Sequence, residues 1–133
     1  MPFVRIAVLG PTLAPQQIER LRRETTEMMM SIMRKARQGI AVVTEQLDHA
    51  AWSIAGAPVG LAAHVEAVIG AGTNTADEKA RFMAAMMDLL RGVLGPELRE
   101  ETYIVIREFD TRDYGRGGLT RAERDRRRQA GGT

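Results

Sequence analysis

Cysteine is absent from the 133 residues, which excludes disulfides, thiolate catalysis and thiolate zinc sites. Histidine is scarce: with only His49 and His64, a metal site needs carboxylates at unusual spacings, and none is expected. No apolar run approaches the ~20 residues of a membrane span. The chain does not open on a basic stretch followed by an apolar one, the mark of a secretory signal, so a cytoplasmic, non-membrane protein is expected. Aromatic residues are few, at 5%, and do not interleave with the basic C-terminal stretch. That stretch holds Arg116, Arg121, Arg124, Arg126, Arg127 and Arg128 against Glu123 and Asp125. It reads as a solvated helix end or frayed terminus, disordered over 129–133, with no nucleic-acid partner expected.

What is present suits one globular domain, with 44% hydrophobic and 27% charged residues. Phe3 to Leu9 reads as a strand stopped by Gly10-Pro11. Pro15 to Lys35 reads as a helix ended by Gly39, with Ile18, Leu21, Thr25, Met28, Met29 and Ile32 at helical spacing. Ile40 to Glu45 is a β-branched strand. The order then restarts. His64 to Ile69 is a strand, Gly70 to Asn74 a turn, and Ala76 to Leu94 a helix capped by Thr75 with Glu78 as capping-box partner. Gly95-Pro96 stops it, and Thr102 to Glu108 is the last strand. The methionines fall on helix faces and read as core filling.

The halves repeat one pattern. Trp52 and Tyr114 stand 62 residues apart (114 − 52), each opening an aromatic-x-x-x-Gly stretch. Val42-Val43 and Ile104-Val105 share that offset, and the helix starts agree within a one-residue slip. Each half (about 2–60 and 62–120) is a βαβ unit with parallel strands and a right-handed crossover. Joined edge to edge, the two make an α/β (α+β) domain over 1–120, a four-stranded sheet with both helices on one face, followed by the basic tail 121–133. The other face, carrying Phe3, Arg5 and Ala7, is bare. Burying it and the sheet edges requires another subunit.

A βαβ unit of this length that begins Met1-Pro2-Phe3 and carries Thr44-Glu45 and Trp52-Ser53-Ile54-Ala55-Gly56 resembles 4-oxalocrotonate tautomerase. The doubled chain, with Glu108 and Tyr114-Gly115-Arg116-Gly117-Gly118 in its second copy, is similar to the fused members of that superfamily, including malonate semialdehyde decarboxylase and cis-3-chloroacrylic acid dehalogenase. The resemblance spans residues 2 to 120. It implies a tautomerase/MIF-like fold, no cofactor, a homotrimer, and a small carbonyl or enol substrate.

An internal proline nitrogen is an amide without basicity. With Met1 removed, Pro2 carries a secondary amine, and an ordinary α-amino group titrates near ~8. At the mouth of an apolar pocket its charged form is poorly solvated and the pKa falls. Neutral, the amine is a general base for keto-enol tautomerisation, or a nucleophile that opens a decarboxylation route through an iminium. Charged, it is an acid for adding water to an unsaturated acid. The second half has Ala62 or Ala63 where the proline should stand, so one Pro2-centred site per chain is expected. The resemblance makes Trp52 and Tyr114 the aromatic wall of that site.

The short tautomerases place arginines just after the first strand and at the start of the second. Here those positions hold Gly10-Pro11-Thr12, Ala71 to Asn74, Ile40 and Tyr103. Arg116 and Arg107 are the candidates to polarise or bind substrate in their stead. Asp113 stands where the dehalogenase has a water-activating carboxylate, which keeps a decarboxylase or hydratase-dehalogenase reading open beside the tautomerase. Arg5 reads as an outward charge and His64 as a surface histidine. A non-catalytic trimer that binds a partner through its basic tail is the rival from another class.

Overall fold

The structure is a computed structural model that describes residues 1–48 and 51–131; His49 lies outside them. Its elements run β1 (Phe3–Leu9), α1 (Pro15–Ser31), a 3-10 turn (Arg37–Gly39), β2 (Ala41–Gln46), β3 (Ser53–Ile54), β4 (Ala57–Pro58), β5 (Ala62–Gly70), α2 (Ala76–Leu94), β6 (Tyr103–Phe109), β7 (Gly115–Arg116), β8 (Leu119–Thr120) and α3 (Arg121–Gly131). The main sheet has the order β2-β1-β5-β6. Within each half the strands are parallel, and β1 meets β5 antiparallel. This is the two-unit architecture expected from the repeat.

Period-two alternation sorts the sheet into faces. On the helix side the rows Val42–Val4–Ala67–Ile106 and Thr44–Ile6–Val65–Ile104 run across all four strands. Their apolar members pack with Leu21, Met28 and Met29 of α1 and Phe82, Met86 and Leu90 of α2 into one core. On the other side the rows are Ala41–Phe3–Val68–Arg107, Val43–Arg5–Glu66–Val105 and Glu45–Ala7–His64–Tyr103. Among the described residues no helix covers them, and Phe3 and Tyr103 stand exposed.

The helix boundaries follow their caps. The Thr75 hydroxyl accepts from the Glu78 N–H (3.1 Å), and the Glu78 carboxylate accepts from the Thr75 N–H (2.9 Å), the reciprocal box that the spacing indicated. The first helix stops short of its expected end. It closes at Ser31 because Arg34 turns left-handed (φ 58°), letting the Lys35 N–H reach the Met29 carbonyl (2.9 Å). Gly39 closes only the 3-10 turn.

Each aromatic-Gly stretch is a small hairpin, β3–β4 and β7–β8. The central residues are Ala55 and Gly56 in one (φ 54° and 81°) and Gly117 and Gly118 in the other (φ 61° and 81°). Positive φ at both positions matches the type I′ turn, whose twist suits a two-residue hairpin loop.

Of the two readings of the basic C-terminal stretch, a solvated helix end or a frayed terminus, the structure has the helix: residues 121–131 are helical, 129–131 included, while 132–133 lie outside the described residues. The Thr120 hydroxyl accepts from the Glu123 N–H (3.0 Å) at its start. Glu123 pairs with Arg126 and Arg127, and Asp125 with Arg121 and Arg128, all at helical spacing. Among the described residues, no helix is long and apolar enough to cross a membrane.

Candidate active site

The start of the chain is held in place by the sheet. The Pro2 carbonyl accepts from the Ala41 N–H (3.1 Å), extending the β1–β2 ladder to the terminus. Pro2 itself is buried. Gly39 brings the backbone close: a Cβ there would stand 3.8 Å from Nη1 of Arg116 and 4.0 Å from the Met1 carbonyl oxygen. The β7–β8 hairpin of the second half thus reaches the first residues of the first half.

Two connected recesses surround Met1. The inner one, bordered by Tyr114, Arg116, Arg121 and Arg124, holds only about 10 Å³, no more than one water requires. The outer one, bordered by Ala36, Gln38, Gly39, Arg116 and Arg121, holds about 240 Å³. Met1 is a wall of both.

The electrostatics are those of a cation-rich site. The terminal amine of Met1 is held below its ordinary value of 8.0, first by burial, then by the charges of Arg116, Arg121 and Lys35. The Lys35 ammonium is pushed down too, by burial and then by Arg34 and Arg121. Its Nζ donates to the Thr73 hydroxyl (2.8 Å), so the left-handed turn at Arg34 is what delivers Lys35 here. Arg34 is anchored by Glu78, with Nε at 2.5 Å from one oxygen and Nη2 at 3.2 Å from the other.

Of the residues singled out in the sequence, Tyr114 and Arg116 come together in the recess bordered by Met1, the residue bonded to Pro2. Asp113 borders an adjacent surface hollow that shares Tyr114 and Gly115 with the inner recess. Arg107 lies elsewhere, on the open sheet face, donating to Glu66 (3.3 Å). His64 contacts the same carboxylate at 3.3 Å, and Arg5 is engaged by Glu45 (2.6 and 3.1 Å). Trp52 is half-buried beside the β3–β4 hairpin and borders neither recess. In the second half, His64 pairs with Tyr103 as Phe3 pairs with Ala41, which puts Ala63 at the place of Pro2.

Sequence reasoning missed Lys35, Arg121 and Arg124. For the two arginines a signal existed: Thr120-Arg-Ala-Glu123 repeats the capping-box spacing of Thr75 and Glu78 and marks a helix start. No group of three or more potential ligands that could hold a metal ion occurs among the described residues.

Residues 2–62 match the model of the family described as Tautomerase enzyme. The comparison with curated proteins finds no match. Among solved structures, a wild-type fused 4-OT forming an asymmetric trimer superimposes with a TM-score of 0.79 at 18% identity, covering 91% of this chain and 97% of that one. A protein inactivated by 2-oxo-3-pentynoate gives 0.81 at 14% identity, over 92% and 98%. A member of the cis-3-chloroacrylic acid dehalogenase family gives 0.75 at 19% identity, over 89% and 82%. These findings show the tautomerase-superfamily resemblance read from the residues: the family's pattern in the first half and the fused 4-OT fold throughout.

Proposed function

On the premise that residues 2–62 carry the tautomerase family's pattern within a fused 4-OT fold, we propose that the chain is a cofactor-free tautomerase of small keto and enol acids, with the Pro2 amine as its general base. The observation that carries this reading is the Met1 terminal amine next to Pro2, partly buried and lowered in pKa by Arg116, Arg121 and Lys35, on a strand start where the Pro2 carbonyl is held by the Ala41 N–H. Burial and neighbouring cations disfavour the charged form of an amine and lower its pKa. Met1 removal shifts the amine one residue inward, to a position that is already buried.

In this mechanism the neutral nitrogen takes the enol hydroxyl proton, electrons move from oxygen through the C=C bond, and the ammonium returns a proton to the carbon beside the new carbonyl. Arg116 steadies the carboxylate or the charged oxygen, and Tyr114 supplies one wall of the site. Association into a homotrimer, the form recorded for fused 4-OT relatives, covers the open sheet face.

A second reaction is favoured by one observation: Asp113 lies in a hollow joined to the recess through Tyr114 and Gly115. In that reading Asp113 activates water for hydration of an unsaturated acid. Asp113→Asn then abolishes hydration and leaves ketonisation nearly intact.

The primary test is intact mass together with ketonisation of phenylenolpyruvate by wild type and Pro2→Ala. The expected result is loss of Met1 in the wild type and a fall in kcat/KM on the order of a hundredfold or more in the variant. Retained Met1, or equal rates, removes the amine chemistry and moves the binding-protein reading forward.

A further inference from the structure

We propose that Arg124 is a positioning residue: from the first turns of α3 it holds the Arg116 carbonyl, and through that bond it sets where the Arg116 guanidinium stands beside the start of the chain. The inference rests on the Pro2 reading for its reaction, while the bonds that carry it do not.

The first ground is where α3 is fastened. No α3 residue is buried, so the helix contributes no core. Apart from the bond to its own cap Thr120, the hydrogen bonds it makes beyond itself, among the described residues, end on one short stretch. The Ala122 N–H donates to the Thr111 carbonyl, the Arg121 N–H to the Tyr114 carbonyl and Nη2 of Arg124 to the Arg116 carbonyl, each at 2.9 Å. That stretch, 111–116, carries Asp113, Tyr114 and Arg116. A helix without a core of its own, fastened in this way, acts on those residues.

The second ground is the reach of one side chain. Of these three bonds, only that of Arg124 comes from a side chain. Its head group also lies against the β7–β8 turn: a Cβ at Gly117, itself left-handed (φ 61°), would stand 2.9 Å from Nη2. The guanidinium therefore bears on the backbone of Arg116 and on the residue after it. The other end of Arg116 reaches Met1, with which it borders both recesses. Arg116 is also the first of the cations that hold the Met1 amine below 8.0, so its placement has a readout in the titration of the terminal amine.

The third ground is an unmet bond. Arg126, Arg127 and Arg128 stand exposed on the same helix. Nε of Arg124 is instead buried without a hydrogen-bond partner among the described residues. A buried donor left unmet costs free energy. A side chain that carries this cost while making one bond to one carbonyl answers a demand other than stability.

The test compares wild type, Arg124→Met, Arg124→Lys, Arg116→Gln and the double variant of Arg116→Gln with Arg124→Met. The terminal residue, Pro2 or a retained Met1 as intact mass shows, is isotope-labelled at nitrogen and titrated by NMR. Ketonisation of phenylenolpyruvate is followed against pH in parallel. Arg124→Met keeps the stem and removes the donor. Its amine should titrate higher, toward that of Arg116→Gln, and the rising limb of kcat/KM should move with it. At neutral pH its kcat/KM should fall by a factor on the order of ten. Its melting temperature should not fall below wild type's, because the unmet donor leaves with the side chain. Arg124→Lys keeps a charge and a donor and should lie between. In the Arg116→Gln background, Arg124→Met should add nothing. An unmoved amine titration in folded Arg124→Met, with or without a lower melting temperature, overturns the positioning role. So does an equal effect with and without Arg116, which would show that Arg124 acts through its own charge. Full activity in Pro2→Ala, together with the shifted titration in Arg124→Met, keeps the positioning role and removes the base assignment instead.

Discussion

The Tyr114 hydroxyl lies against the backbone of Gly70: a Cβ added at Gly70 would stand 2.6 Å from the phenol oxygen and 3.4 Å from Cζ. Gly70 closes β5 opposite Phe109, so it has little room to retreat. Glycine is needed here for space, to let the ring of the second half's hairpin settle beside the recess that contains the start of the first.

Gly70→Ala should therefore push Tyr114 out of place and destabilise the fold by about 1–3 kcal/mol, with a matching loss of ketonisation. Because the closest clash is with the hydroxyl, adding Tyr114→Phe should recover much of the stability. A double-mutant cycle by denaturant unfolding measures the coupling. Additive costs would show that the two residues do not meet as described.

The pH dependence follows from the amine. In the proposed mechanism a neutral Pro2 nitrogen is the active form, and burial, then Arg116, Arg121 and Lys35, hold the neighbouring Met1 amine below 8.0. The logarithm of kcat/KM should rise with pH through that lowered value and then level off. Arg116→Gln removes the largest of the cationic contributions, so its amine climbs toward 8.0 and the rising limb moves to higher pH. Lys35→Gln, the smallest of the three, should move it less. A limb that stays put in Arg116→Gln argues that another group titrates.

Acid stability should depend on Glu78. The Arg34 guanidinium first, then the Thr75 N–H and the Asn74 amide, hold its carboxyl down at about 2 against an ordinary 4.5. A depressed carboxyl contributes stability that is present above its ordinary value and is lost as pH falls through its folded one. Glu78→Gln should melt below wild type at neutral pH, and the gap should narrow steadily below about pH 4.5. Thermal unfolding at neutral and acid pH checks this. A constant gap would mean that the side chain acts through packing alone.

The open sheet face predicts association. Sedimentation should give a mass of three chains of 14.7 kDa each. Val105 lies midway along the edge strand β6, in the row Val43–Arg5–Glu66–Val105, and Val105→Glu places a second acid beside Glu66. That variant should dissociate at concentrations where wild type stays assembled. A monomeric wild type would leave the face to another partner.

The strands and the second helix were legible because their signals are local. Val4, Ile6 and Val8 alternate within β1, and Thr75 and Glu78 sit three residues apart at the start of α2. The 62-residue offset between Trp52 and Tyr114 marked two matching aromatic-Gly stretches, and their hairpin form came only with the structure. The end of α1 was not legible, because a left-handed Arg34 breaks the habit that reserves such positions for glycine. The partner that holds its side chain, Glu78, lies far along the chain.

Amino-acid order alone determined the βαβ repeat, the single proline at a strand start and the absence of thiol chemistry, since periodicity, capping and composition act between near neighbours. Only the tertiary structure decided which cations lie around Met1, at the start of the chain. Arg107 alternates onto the open sheet face and pairs with Glu66, while Arg121 and Arg124 return to the first residues because backbone hydrogen bonds to Thr111 and Tyr114 tie α3 beside them. A charge acts on an amine through distance, and distance between residues 2 and 121 exists only once the two halves have paired β1 against β5.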